Sequence, residues 1–152
     1  IELELGTGIN DADSDDDGLS DALEINAGSN PLAQDSDMDG IADMDEPSWS
    51  VDVDHDGMIN AMDTDSDNDG LLDLDEKNRS SNPINADSDF DGLNDSEEVD
   101  AGTDLNKADT DDDGLSDREE IDAGTDPLIA DQDEDGLRQL QGLASEAPKW
   151  AC

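Results

Sequence analysis

At 152 residues the chain has the length of one domain, yet six basic side chains against 47 acidic ones leave a formal charge of −41. Such a balance excludes nucleic acid and anionic membrane surfaces as direct partners, and no apolar run reaches the length of a membrane span. With no Tyr, one Phe, two Trp and the lone Cys152, neither an aromatic core nor an internal disulfide is available, and without counter-ions the composition is that of a disordered chain.

In chain order, residues 1–12 come first. IELEL alternates apolar Ile1, Leu3 and Leu5 with Glu2 and Glu4, the pattern of a half-buried strand. GTGINDAD from Gly6 echoes GTDPLIAD from Gly124, so the chain begins in mid-repeat. It starts at Ile1 without a signal peptide, as a mature secreted product or a cut fragment would.

Residues 13–136 then carry the string Asp-x-Asp-x-Asp-Gly seven times, beginning at Asp13, Asp35, Asp52, Asp65, Asp87, Asp109 and Asp131. Five copies hold oxygen donors at positions one, three, five, nine and twelve of a twelve-residue EF-hand-type loop with glycine at six. The candidate ligands are Asp13, Asp15, Asp17, Asp21 and Glu24; Asp35, Asp37, Asp39, Asp43 and Glu46; Asp65, Asp67, Asp69, Asp73 and Glu76; Asp87, Asp89, Asp91, Asp95 and Glu98; and Asp109, Asp111, Asp113, Asp117 and Glu120. Calcium is a hard cation that takes six to eight oxygens at about 2.3–2.6 Å, so alternate carboxylates on a curled backbone can converge on it. Glycine permits the turn, the seventh residue offers its carbonyl, position nine binds directly or through water, and the glutamate at twelve closes the shell with both oxygens.

Two copies depart from the pattern. In VDVDHDGMINAMD the donors are Asp52, Asp54, Asp56, Asn60 and the shorter acid Asp63, which predicts a weaker site. His55 sits at the variable fourth position and reads as solvent-facing. The last copy keeps Asp131, Asp133 and Asp135 but has Gln139 at nine and Gly142 at twelve, a degenerate terminal unit.

Loop starts are separated by 22, 17, 13, 22, 22 and 22 residues, a repeat architecture interrupted once by a short unit at Asp52. Residues from position eight to beyond position twelve can form one or two helical turns, with Ser116 and Glu119 at capping-box spacing. Gly28, Gly102 and Gly124 end the turn, and Asn30, Asn82, Asp104 and Asp126 start the bend into the next loop. The period leaves no room for the long paired helices of a true EF-hand. Leu19, Ile41, Met58, Leu71, Leu93, Leu115 and Leu137 after the glycine, with Ile25, Val99 and Ile121 after the closing glutamate, predict a thin apolar spine.

In residues 137–152, Leu137, Leu140 and Leu143 fall at helical spacing and predict a capping helix. Together with Ile1–Leu5 this suggests interaction ends that join copies head to tail, against the plainer reading of frayed ends. Trp49 and Trp150 read as local packing plugs, Cys152 has no assigned role, and Asn78 in NRS and Asn94 in NDS fit a glycosylation sequon.

TDDDGLSDREEIDAGTDPLIADQDEDGL, from Thr110 to Leu137, resembles the thrombospondin type 3 repeat, particularly its bacterial version, and the likeness extends over about Thr7 to Leu137. The resemblance implies calcium ions wrapped by a chain of little regular secondary structure, in secreted or surface proteins that act as spacers and adhesive stalks. The cysteines of animal members are absent.

The expected fold is therefore a loop-rich, irregular, elongated array of calcium-wrapped units with short helical turns. About seven or more calcium ions would be held, and seven would bring the formal charge from −41 to −27. The expected function is an extracellular calcium-stiffened stalk, spacer or filament subunit that associates with itself or with other cell-surface or matrix proteins. The alternative is a soluble acidic calcium buffer or mineral-binding protein. No catalytic constellation or cofactor other than calcium is expected, since the single histidine has no partners and the carboxylates belong to the loops.

Overall fold

A computed structural model describes residues 6–7 and 11–130. Four loops run directly into an α-helix that begins at position nine: α1 (Asp21–Ala27), α2 (Asp73–Arg79), α3 (Asp95–Ala101) and α4 (Asp117–Ala123). Each has 7 residues, nearly two turns. Two 3-10 turns, Asp43–Asp45 and Asn60–Met62, stand at the same place in the other two described loops. Among the described residues there is no strand and no helix long and apolar enough to cross a membrane.

The local sequence sets these boundaries. Position eight is extended, and in α3 and α4 it supplies a capping box, Asn94 with Glu97 and Ser116 with Glu119. Acidic residues crowd each first turn, where the helix dipole favours them. At the far end Gly28, with φ 110°, donates to the Glu24 carbonyl at 2.7 Å, while Ser29 donates to the same carbonyl at 3.1 Å. Ser80 takes the equivalent left-handed position at φ 66° with a Cβ to accommodate. In the Asp35 repeat the residue after Glu46 is Pro47, which disfavours helical angles in the residue before it. Glu46 accordingly has ψ 133°, and the helix stops as one 3-10 turn.

The chain divides into two units, residues 1–86 and 87–152. In the first, repeats pack by laying a side chain from position ten over the glycine of an earlier loop. A Cβ on Gly18 would collide with Met44 Sδ, and one on Gly40 would lie 3.4 Å from Leu74 Cδ2. The second unit repeats the arrangement with Arg118 over Gly92, and the Arg118 N–H donates to Asp91 Oδ2 at 2.8 Å.

The apolar spine is thinner than the sequence pattern suggests. Leu19, Ile41, Leu71 and Leu93 are buried after the glycine, but Leu115 is half-buried and Met58 is 45 % exposed. Ile25 and Ile121 are exposed and Val99 is half-buried, which corrects the expectation that the residue after the closing glutamate joins the spine. A two-turn helix anchored by its glutamate turns the following side chain outward. The connector supplies the second buried row instead, with Pro31, Pro83, Leu105 and Pro127. The strand expected at Ile1–Leu5, the Asp131 loop and the capping helix of residues 137–152 lie outside the described residues.

Candidate metal centres

Each loop is curled by its own aspartates. In the Asp13 loop, Asp13 Oδ2 accepts from the Gly18 N–H at 3.1 Å, Asp15 Oδ1 from Asp17 at 3.2 Å and Asp17 Oδ1 from Leu19 at 2.6 Å. The same ladder recurs in the Asp35, Asp52, Asp65, Asp87 and Asp109 loops. Curling this tightly forces the fourth residue into the left-handed region, with φ between 55° and 67° at Asp16, Met38, His55, Asn68, Phe90 and Asp112. His55 is exposed there, as expected of it.

Asp35, Asp87 and Asp109 accept from the backbone with both oxygens, whereas in most of the other loop aspartates one oxygen is spent on the backbone and the other turns inward. Asp13 Oδ1, Asp15 Oδ2 and Asp17 Oδ2 are buried without a hydrogen-bond partner, as are Asp37 Oδ2, Asp39 Oδ2, Asp52 Oδ1, Asp54 Oδ2, Asp65 Oδ1, Asp67 Oδ2, Asp89 Oδ2 and Asp111 Oδ2. Oxygens of Asp13, Asp15 and Asp17 all lie within 4.8 Å of one another, and the sets Asp35–Asp37–Asp39, Asp52–Asp54–Asp56 and Asp65–Asp67–Asp69 meet the same limit. The structure thus brings the predicted ligands of positions one, three and five together.

Positions nine and twelve are the deeply buried places in the repeat. Glu24, Glu76, Glu98 and Glu120 are fully buried and Glu46 is 5 % exposed. Neither oxygen of Glu24 or Glu46 has a hydrogen-bond partner. Burial first, and crowding by neighbouring aspartates second, push Glu24 and Glu120 up to about 7 and Glu46 and Glu98 up to about 8. The same causes raise Asp37 and Asp67 to about 7 and Asp89 to about 6. A cluster of orphaned, buried, mutually repelling carboxylates is the donor set of a hard divalent cation, and all its donors are oxygen, which suits calcium rather than zinc or copper.

Position nine has a distinct place. Asp21 accepts from the Ser14 N–H and from Ser14 Oγ, both at 2.8 Å, so both its oxygens are engaged. The fork is repeated by Ser36 on Asp43, Ser66 on Asp73, Ser88 on Asp95 and Thr110 on Asp117, with distances of 2.6–2.8 Å. Asp43 is also brought within 4.8 Å of Asp17 and Glu24 of the preceding repeat. The carboxylate at nine thereby faces the neighbour's cluster as well as its own loop.

Sequence reasoning overlooked the hydroxyls at position two: Ser14, Ser36, Ser66, Ser88 and Thr110. A signal for them does exist. Position two is Val53 in the one described loop whose ninth residue is Asn60 rather than aspartate. The hydroxyl also anchors the connector, since Ser36 Oγ accepts from the Asn30 N–H at 2.9 Å and Thr110 Oγ1 from Asp104 at 3.0 Å.

The bends themselves are local, as expected: Asn30, Asp104 and Asp126 each accept with Oδ1 from the backbone two residues on. Asn94, in one of the two sequons, is committed as a helix cap, and Asn78, in the other, is exposed on α2. Asp131, Asp133 and Asp135 lie outside the described residues.

Compared with known proteins, the chain finds no match among curated proteins or solved structures. Against protein families it matches the bacterial TSP3 repeat at residues 13–34, 65–86, 87–108 and 109–130, together more than half of its length. The chain belongs to the bacterial TSP3 repeat family, a family of structural calcium-binding repeats.

Proposed function

We propose that this chain is a calcium-stiffened structural module of a secreted or surface protein, serving as a stalk, spacer or filament subunit. One observation carries the reading: the largest fully buried side chains are Glu24, Glu76, Glu98 and Glu120, so ions stand where a hydrocarbon core would. About seven ions or more would be held, with the glutamates at twelve and the inward aspartate oxygens as ligands. Calcium at the millimolar level outside cells can fill sites of modest affinity, which supports an extracellular setting. The carboxylates are committed to the loops, so the reading assigns the chain no catalysis. Self-association head to tail is part of the proposal, and unchanged oligomer size after deletion of residues 1–5 at high calcium would remove it.

Circular dichroism and small-angle scattering with and without calcium test the main reading. Removal of calcium at neutral pH should abolish the helical signal and enlarge the radius of gyration. A chain that binds calcium with neither signal changing is the soluble buffer of the alternative reading, and the structural role is then wrong.

A further inference from the structure

Stacking in the first unit does not follow the order of the motifs. Leu74, at position ten of the Asp65 loop, covers Gly40 of the Asp35 loop at 3.4 Å, as Met44 covers Gly18. Between Gly40 and Leu74 the chain passes through the whole Asp52 unit, and Gly57 of that unit has nothing within 4 Å of where a Cβ would stand. Met58 is 45 % exposed, whereas its counterpart Ile41 is 2 % exposed. The short unit is closed on itself: Asn60 Nδ2 donates to the Pro47 carbonyl at 2.8 Å, and Val53 cannot form the hydroxyl fork of the stacked loops.

The charges follow the stacking. Glu46 has two unpartnered oxygens and 5 % exposure, and Leu74 lies over Gly40 as Met44 lies over Gly18, where Asp43 stands within 4.8 Å of Glu24; the charges that act most on Glu46 include Asp39, Asp73 and Asp37. Asp73 is fully buried and is held by the Ser66 fork. The Asp52 loop closes on Asp63, which accepts from the Asp65 N–H with Oδ1 at 3.1 Å and whose charge reaches Asp65 and Asp73 of the next loop.

We infer that Asp73 completes the calcium site at Glu46 across the intervening unit, so that the coupled array runs from the Asp35 loop directly to the Asp65 loop and the Asp52 loop is a separately titrating site. This rests on the calcium reading above. Repeats that share a carboxylate fill together, because the ion in one fixes a ligand of the next. The strongest carboxylate charges on Glu46 come from the Asp35 and Asp65 loops, and the ninth residue of the Asp52 loop, Asn60, is neutral. A smaller ligand charge lowers calcium affinity, here by about tenfold.

Trp49 is a reporter inside the short unit, where its carbonyl accepts from the Ala61 N–H at 3.0 Å. In a Trp150→Phe chain it is the only indole, since the sequence has two. Calcium titration of that chain should show the helical dichroism rising first and Trp49 fluorescence changing at about tenfold higher calcium. Asp54→Asn should remove the Trp49 transition and leave the dichroism midpoint within about twofold, whereas Asp73→Asn should move that midpoint several-fold higher and make it less steep. Superimposed Trp49 and dichroism curves, or an Asp54→Asn midpoint displaced as far as that of Asp73→Asn, overturn the inference and leave calcium binding intact. If neither signal responds to calcium, the calcium reading itself falls.

Discussion

Ser36 holds Asp43 by both oxygens, its N–H donating to Oδ1 at 2.7 Å and its hydroxyl to Oδ2 at 2.6 Å. Asp43 is 1 % exposed and stands beside Asp17 and Glu24, so loss of a donor leaves a buried charge short of a partner. Ser36→Ala should lower the stability of the calcium-loaded protein by about 1.5–3 kcal/mol, the range for hydrogen bonds to charged groups. Ser36→Thr keeps the hydroxyl, as Thr110 does naturally, and should remain near wild type in thermal unfolding.

Stability should depend on pH with opposite signs in the two metal states. Glu24 and Glu120 rise to about 7 and Glu46 and Glu98 to about 8 from the ordinary 4.5. The metal-free fold therefore holds protons that the unfolded chain has already released. Its stability is fully present below pH 4.5 and is lost as the pH climbs to about 8. Calcium requires the deprotonated ligands, so with excess calcium the helical dichroism should persist to pH 8, and the calcium midpoint should rise as the pH falls. Dichroism of metal-stripped and loaded protein across this range checks both arms.

Glu98→Gln removes the charge of a fully buried candidate ligand and keeps its shape. Calcium affinity at the Asp87 loop should fall at least about tenfold, or ~1.4 kcal/mol, while the metal-free fold gains stability near neutral pH because it no longer has to take up a proton at Glu98 on folding. Isothermal titration at neutral pH and the pH midpoint of helical dichroism in the metal-free variant, which should move upward, give the two halves.

Ser80 sits at φ 66° where the other three helices end in glycine. Ser80→Gly should relieve the left-handed cost and stabilise the protein by about 0.5–1 kcal/mol after the entropy lost by glycine is subtracted. Chemical unfolding at fixed calcium measures it.

The ligand pattern was legible because calcium demands oxygens at fixed spacing, and Asp13, Asp15 and Asp17 can answer that demand in one curl of chain. The helix at Asp117 was legible for a similar reason, since Ser116 and Glu119 act within one turn. The fork at Ser36 was not, because a serine between two aspartates looks like any small polar residue until its partner seven positions on is known to be buried. Nor was the packing of Leu74 on Gly40, a contact between segments that only the folded chain brings together. Ile25 misled for the opposite reason: its recurrence at the repeat period is real, but its side chain stays 40 % exposed.

A fold whose largest fully buried side chains among the described residues are glutamates draws little on the hydrophobic effect, so the heat capacity of unfolding should be small and stability should vary with temperature with little curvature. Its sensitivity lies along another axis. Each ion released on unfolding changes stability by about 1.4 kcal/mol for every tenfold change in free calcium. Five ions leaving together would answer a tenfold dilution with about 7 kcal/mol, comparable to the whole stability of an ordinary domain. Such a chain becomes rigid or gives way according to the ionic composition of the fluid around it, and its lifetime against proteases would follow the same quantity.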